Sequence, residues 1–207
     1  PDVEELLRRS QDKVKNMLPN GLGWKGGVLA GATAIAVWLA FGFYQVKPDE
    51  QGVEFVFGKL TQVTQPGLNY NWPAPIGDSE TPSVARNNLV QVGYRDSGTR
   101  SSAARNVTEE SLMLTGDENI IDIQFVVRWK IKEEVDPNNP RASGAARFLL
   151  NVRNPEDTVK VASEAVMREI VGQSNFEAIR TQDRDRLALT ARDQIQQLLD
   201  SYDSGIE

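Results

Sequence analysis

The residues of this 207-residue chain that could carry chemistry are acidic pairs and serines, because the sequence contains no histidine and no cysteine. The lack of these two residue types excludes His–Ser and His–Cys catalytic pairs, thiol nucleophiles and cysteine-based zinc sites. A pair of carboxylates acting as general acid and base, or a Ser–Lys pair, could still work. The candidates for these roles are Asp117-Glu118, Glu133-Glu134, Asp183-Asp185 and Ser111.

The local sequence around these candidates favours structural roles over catalysis. Asp117-Glu118 lies in the turn-forming stretch "GDEN", and Asp183 and Asp185 alternate with arginines as in a solvated helix start. We therefore expect no enzyme activity, no cofactor and no metal. The net charge of −6, without a basic patch interleaved with aromatic residues, also argues against nucleic-acid binding.

The element that must position the rest of the chain is the uncharged run over residues 26–46. As a helix it would be ~31 Å long, which matches a hydrocarbon core of ~30 Å. A buried core helix would show a polar stripe, and a signal peptide would need a better cleavage site than "AFG". The run therefore predicts a single transmembrane helix. Its membrane-spanning residues are Val28, Leu29, Ile35, Val37, Trp38, Leu39, Phe41, Phe43 and Tyr44.

The basic residues that flank this run predict its orientation. Residues 6–25 contain five of them, and residues 47–66 contain two. This asymmetry places the N-terminus in the cytoplasm and the main domain across a bacterial inner membrane, in the periplasm. Residues 1–25 also carry apolar side chains at helical spacing, which predicts a short amphipathic helix on the membrane surface or against a partner, unless the pattern arose by chance. These apolar residues are Val3, Leu6, Leu7, Val14, Met17 and Leu18.

Residues 47–207 predict an α+β domain, because alternating strand patterns come first and helical patterns follow. We divide it at about residue 110, into parts 47–110 and 111–207. Two patterns stand out: Val53, Phe55 and Phe57 alternate in an early strand, and a long strand runs over residues 120–131 with its odd-numbered residues on one face. Helices are predicted over 154–172 and 183–202. Their inward residues are Val159, Ala162, Val166 and Ile170, followed by Leu187, Ala191, Ile195, Leu198 and Tyr202.

The loop over residues 65–78 is unusually apolar for a turn-rich stretch. Its large apolar residues are Leu68, Tyr70, Trp72 and Ile76. Tyrosine and tryptophan favour the membrane interface, so this loop is a candidate for contact with the outer leaflet. The alternative is that Trp72 fills the core of the domain.

Two stretches carry a resemblance to a known family: "GFYQVKPDEQGVEFVFGKLTQVTQPGLNYNWPAPI" and "LMLTGDENIIDIQFVVRWKI". Together they resemble the stomatin/prohibitin/flotillin/HflK–HflC superfamily (SPFH or band 7), on the HflK side, over about residues 42–207. The loops at 95–110 and 134–147 are longer than the family pattern. The residues that match its motifs have structural roles there, and they are Gly52, Phe57, Gly58, Pro66, Gly67, Asp117, Glu118 and Asn119.

The resemblance implies a non-enzymatic scaffold. HflK-like proteins assemble with an HflC-like subunit into a large hetero-oligomeric ring or cage, in contact with membrane lipid. This cage regulates the access of substrates to FtsH, a membrane AAA protease. The family continues into long helices, so we expect this chain to be a piece of a longer protein. The alternative is a membrane-tethered periplasmic adaptor or binding module that acts without a cage.

Overall fold

The computed structural model describes residues 23–96, 105–181 and 184–207. Most of the predicted amphipathic segment at 1–25 and the candidate Asp183 therefore lie outside the described residues. The helices are α1 (Gly23–Ala40), α2 (Thr108–Ser111), α3 (Gly144–Asn151), α4 (Pro155–Gly172), α5 (Phe176–Thr181) and α6 (Arg184–Ser201). The strands are β1 (Phe43–Val46), β2 (Gly52–Val56), β3 (Lys59–Thr64), β4 (Gly67–Tyr70), β5 (Gly77–Glu80), β6 (Asn88–Val92), β7 (Tyr94–Arg95), β8 (Arg105–Asn106), β9 (Leu112–Leu114), β10 (Ile120–Asp122) and β11 (Phe125–Trp129).

The strands form small antiparallel sheets. Strand β2 lies at the centre of a three-stranded sheet with β3 and β5, and its pairing with β3 shifts register between Glu54 and Phe55. The remaining pairs are β1 with β4, β6 with β11, β7 with β8, and β9 with β10. Strands come first and the longer helices follow, which confirms the predicted α+β class.

The core lies between the β6–β11 pair and the helices α4 and α6. The odd-numbered face of the 120–131 stretch points inward, as predicted, and Trp129 and Ile131 are buried. Four inward residues predicted for α4 are buried: Val159, Ala162, Val166 and Ile170. This burial of apolar surface is the main stabilising contribution to the domain.

Several predicted details are wrong. The 120–131 stretch is divided into β10 and β11, because its first part pairs with β9 and its second part pairs with β6. Tyr202 lies past the end of α6 and is exposed, whereas Leu199 is buried in its place. The polar stretch at 95–110 contains the short β7–β8 pair and helix α2. Helix α3 was not predicted.

The predicted helix over 26–46 ends earlier, at Ala40. Strand pairing explains this boundary, since Phe43 to Val46 pair with β4 and Val46 is buried. Phe43 and Tyr44 therefore belong to strand β1 and not to a membrane-type helix. Within residues 23–96, 105–181 and 184–207, no helix combines the length and the apolarity needed to cross a membrane.

Candidate functional site

Helix α1 exposes apolar side chains all around its axis. Val28, Leu29, Ile35 and Val37 are all more than half exposed, and Trp38 and Leu39 are half-buried. A soluble amphipathic helix would bury an apolar stripe and expose a polar one. The side chains described for α1 show no such division, so this helix presents an apolar surface without an intramolecular cover.

The junction between α1 and the strands contains only Phe41 and Gly42. Their N–H groups donate to the carbonyl oxygens of Trp38 and Leu39, at 3.1 Å each, and close the helix. A side chain at Gly42 would not fit, because its Cβ would stand 2.2 Å from the Asn71 carbonyl oxygen. The chain therefore passes from helix to strand without a flexible linker.

A second contact fixes the helix to strands β1 to β5 and their connecting loops, which we call the strand layer. The indole Nε1 of Trp38 donates to the Ala74 carbonyl oxygen at 2.9 Å. The rings of Phe43 in β1 and Tyr70 in β4 meet edge to face, with their centroids 5.0 Å apart. These contacts hold the end of α1 against the loop that follows β4.

A polar cluster surrounds the buried Glu54 next to this junction. Tyr44 donates its hydroxyl to Glu54 Oε1 at 2.6 Å, and Gln62 Nε2 donates to Glu54 Oε2 at 2.8 Å. The Tyr44 and Thr64 hydroxyls also lie 2.9 Å apart. Burial, together with the neighbouring Glu54 carboxylate, raises the pKa of Tyr44 well above its usual range. The cluster satisfies a buried carboxylate and joins β1 to β2 and β3.

Strand β4 and the loop that follows it present apolar side chains beside the end of α1. Leu68 is 74% exposed, Tyr70 is 41% exposed and Trp72 is 50% exposed, whereas Ile76 is half-buried. The buried Asn71 holds the loop, because its Nδ2 donates to the Asp78 carbonyl oxygen at 2.7 Å. The structure excludes the alternative in which Trp72 fills the core. Contact of the loop with lipid stays a prediction.

Phe57 extends this surface, which the sequence did not predict. Its alternation with Val53 and Phe55 suggested a buried strand position, but Phe57 lies after β2 and is 75% exposed, with a φ of 50°. Its N–H donates to the Ile76 carbonyl oxygen at 2.8 Å. Positive φ is rare for a bulky residue, and this turn geometry accompanies the exposure of Phe57.

Gly58 and Gly67 match the family motif and have positive φ values of 72° and 139°. At Gly52 the backbone angle does not require glycine, but the space does, because an added Cβ would stand 2.2 Å from Thr64 Oγ1. Pro66 directly precedes Gly67 and is exposed. These residues shape the turns and close contacts of the strand layer.

The "GDEN" turn joins β9 to β10 and contacts the start of helix α5. Asp117 accepts the Thr115 hydroxyl at 2.5 Å and the backbone N–H of Phe176 at 3.1 Å. The hydroxyl bond lowers the pKa of Asp117, with further contributions from Asn119 and the Phe176 N–H. Glu118 occupies the turn position with φ of 65°. Asp117 and Glu118 thus shape this turn and its contact with α5.

The remaining catalytic candidates lie apart from one another. Glu133 forms an ion pair with Lys130 at 3.4 Å, and the backbone of Glu134 accepts the N–H of Gly144. Ser111 is fully buried, and its hydroxyl has no hydrogen-bond partner among the described residues. Asp185 lies in the first turn of α6. In the described part of the chain, no group of three or more acidic residues is placed to hold a metal ion.

Comparison with known sequences decides the family. Residues 44–207 match the sequence profile of the "SPFH domain / Band 7 family". The chain belongs to this family. The SPFH chain is 29% identical to protein HflK of Vibrio cholerae over 215 residues, which covers 100% of the chain and 47% of that relative.

Two further relatives carry the same name. The protein of Escherichia coli named "Modulator of FtsH protease HflK" is 27% identical over 185 residues, covering 89% of the SPFH chain and 37% of that relative. Protein HflK of Treponema pallidum is 30% identical over 188 residues, covering 89% and 53%. The SPFH chain thus spans about half the length, or less, of the curated relatives it matches.

Proposed function

We propose that this SPFH protein is a non-enzymatic membrane scaffold that regulates an FtsH-like membrane AAA protease. In this proposal it assembles with an HflC-like partner into a large ring or cage that controls the access of substrates to the protease. The name of the Escherichia coli relative supports the protease as a partner. The observation that carries the proposal is the linker-free junction between α1 and β1.

The rigid junction suits a scaffold made of many subunits. A flexible tether would give each domain its own range of heights and tilts, and packing would then cost conformational entropy for every subunit. Here Gly42 lies against Asn71, and Trp38 is bonded to Ala74. Closed symmetric assemblies need their subunits in one orientation, and a rigid junction would favour this.

The membrane attachment of the scaffold is also our proposal. Helix α1 has 18 residues, and a helix of that length is ~27 Å long, slightly shorter than the hydrocarbon core of ~30 Å. Exposed apolar side chains on all of its faces would be stabilised by lipid. We place the N-terminus in the cytoplasm and the strand layer in the periplasm of a bacterial inner membrane, following the excess of basic residues over positions 6–25.

The strand layer would then rest on the outer leaflet. Phe57, Leu68, Tyr70, Trp72 and Ile76 lie in the strand layer that α1 enters, and aromatic residues of this kind favour the lipid interface. Contact at this surface would add a second attachment to that of α1. It would also restrict the tilt of each domain.

The experiment that tests the scaffold is the particle mass of the full-length tagged protein in a mild detergent, with the co-purifying proteins identified by mass spectrometry. We expect a particle many times the mass of one subunit that contains an HflC-like protein and a membrane AAA protease. A monomer or dimer that carries neither partner, and that persists across several detergents, would replace the scaffold with the tethered adaptor.

A further inference from the structure

The loop between β4 and β5, over residues 71–76, is bonded to both sides of the junction between α1 and β1. The Asn71 backbone N–H donates to the Gly42 carbonyl oxygen at 2.9 Å. Further along the loop, the Ala74 carbonyl oxygen accepts the indole Nε1 of Trp38 at 2.9 Å. The loop therefore contacts both the last turn of α1 and the residue that precedes β1.

The Asn71 side chain fixes this loop to the strand layer. It is 5% exposed, and its Nδ2 donates to the carbonyl oxygens of Asp78 at 2.7 Å and Phe55 at 3.3 Å. Its Oδ1 accepts the backbone N–H of Trp72 at 2.8 Å. Phe55 and Asp78 face each other across the β2–β5 pair, so a single amide group bonds the loop to both strands. The donor and acceptor atoms of the amide are thus all used, as burial requires.

The backbone on both sides of Asn71 is closely packed. A Cβ added at Gly42 would stand 2.2 Å from the Asn71 carbonyl oxygen, and one added at Gly77 would stand 2.2 Å from the Trp72 carbonyl oxygen. A shift of the peptide groups next to Asn71 would therefore push against the junction on one side and against β5 on the other.

We propose that Asn71 is the positioning residue that sets the angle between α1 and the strand layer. Its backbone holds the junction, and its side chain holds β2 and β5. Without the amide, the loop loses its bonds to both strands, and the Trp38–Ala74 bond then ties α1 to a loop that can move. The inference rests on the proposed scaffold function, because a closed assembly needs its subunits in one orientation.

The exposed aromatic residues of the loop depend on the same amide. Tyr70 and Trp72 are the direct neighbours of Asn71 and are 41% and 50% exposed. Because Asn71 Oδ1 holds the Trp72 N–H, the angle of α1 and the placement of these two rings are determined together. A subunit with the correct helix direction thus also directs its aromatic side chains toward the proposed leaflet contact.

A distance measurement between two spin labels tests the proposal in the full-length protein in a mild detergent. The labels are attached to Leu29→Cys in α1 and Thr61→Cys in β3, which are both exposed positions. The 207 residues contain no cysteine, and any cysteine elsewhere in the protein is first replaced. Dilution with unlabelled protein makes double electron–electron resonance report intramolecular distances. We expect a narrow distance distribution, which Asn71→Ala should broaden about twofold or more, because a released helix samples a range of tilts.

The matched control is Asn69→Ala. Asn69 is the same residue type in β4, but its Nδ2 donates to the carbonyl oxygens of Gln65 at 3.0 Å and Gly67 at 3.4 Å, within its own turn. Its substitution should leave the width of the distance distribution unchanged. Circular dichroism and thermal unfolding show whether each variant is folded and how much stability it has lost.

Two results in folded variants would overturn the proposal. They are an unchanged width after Asn71→Ala, and equal broadening after Asn71→Ala and Asn69→Ala, which would indicate general loosening. If Asn71→Ala does not fold, Asn71→Ser replaces it, because serine retains a polar group for the Trp72 N–H. Failure of both to fold, while Asn69→Ala folds, would assign Asn71 to folding alone and also overturn the proposal.

The scaffold itself is judged separately, by the particle mass. A narrow distribution that Asn71→Ala broadens, measured in a particle no larger than a dimer, would support the positioning role of Asn71 and reject the scaffold.

Discussion

At the residue scale, Glu110 connects three parts of the domain. Its carboxylate accepts Lys160 Nζ of α4 at 2.6 Å, Arg95 of β7 at 2.7 Å, and the backbone N–H of Gly93 at 3.2 Å. Partial burial alone would raise the pKa of Glu110, but the bonds from Lys160, Arg95 and Gly93 outweigh it and lower the pKa to about 2. The side chain is 14% exposed, so solvent screens these pairs only partly.

Glu110→Gln tests this network. A carboxyl whose pKa is lowered in the folded state stabilises the fold above its unfolded pKa, near 4.5, and this stabilisation is lost as the pH falls through about 2. We expect the variant to lose about 1–3 kcal/mol of unfolding free energy above pH 5. The deficit should shrink between pH 4.5 and 2. Urea unfolding at several pH values measures it.

The control for this prediction is Glu109→Gln. Glu109 is the neighbouring residue of the same charge, is exposed, and forms no ion pair within the described residues. Its substitution should change the unfolding free energy by less than ~0.5 kcal/mol. A deficit for Glu110→Gln that stayed constant down to pH 2 would contradict the role of its ionised carboxylate.

At the element scale, the segment after α6 is clamped against α3. Gly205 has a φ of 68°, and a Cβ at this position would stand 2.3 Å from the Gly144 carbonyl oxygen. Asp203 adds an ion pair to Arg147 at 3.2 Å, and Asn151 Nδ2 donates to the Asp203 carbonyl oxygen at 2.8 Å. Only glycine fits at position 205 without a shift of α3 or of the segment.

Gly205→Ala should therefore destabilise the domain. The strained backbone and the clash together should lower the unfolding free energy by roughly 2 kcal/mol or more, which thermal unfolding would detect. Gly172→Ala is the matched control, because its added Cβ would have the Leu114 carbonyl oxygen as its nearest neighbour, at an ordinary contact distance of 3.9 Å. Equal melting temperatures for the two variants would contradict the clamp.

At the scale of the whole molecule, the proposed contact with the outer leaflet depends on the exposed side chains of Tyr70 and Trp72. Tyr70→Ser with Trp72→Ser removes two interfacial aromatic residues. In the full-length protein in liposomes, a fluorophore on Leu68→Cys should be quenched by lipid-borne quenchers, and the double variant should lose most of that quenching. The measurement is steady-state fluorescence with the quencher in the acyl chains.

The control for the loop is Tyr202→Ser, which removes an exposed aromatic residue just after α6. Its substitution should leave the quenching of the same probe unchanged. Strong quenching that persists in a folded Tyr70→Ser/Trp72→Ser variant would show that these two rings do not hold the loop in lipid.

Much of the fold could be predicted from the sequence, because apolar periodicity is a local property of the chain. The inward face of 120–131 and the stripe of α4 depend only on spacing, and both were predicted correctly. The end of α1 was missed, since it depends on pairing between β1 and β4, which are distant in sequence. Phe57 was missed because the alternation continues across a turn.

By itself, the sequence determined the order of strands and helices, the family motifs, and the absence of histidine and cysteine chemistry over its 207 residues. Only the tertiary structure decided that Trp72 is exposed, that Glu110 meets Lys160, and that Asn71 bonds to β2 and β5. The reason is physical. Composition and periodicity act over one helix or strand, whereas burial and ion pairing depend on residues that folding brings together from distant positions, such as Glu110 and Lys160, which are 50 positions apart.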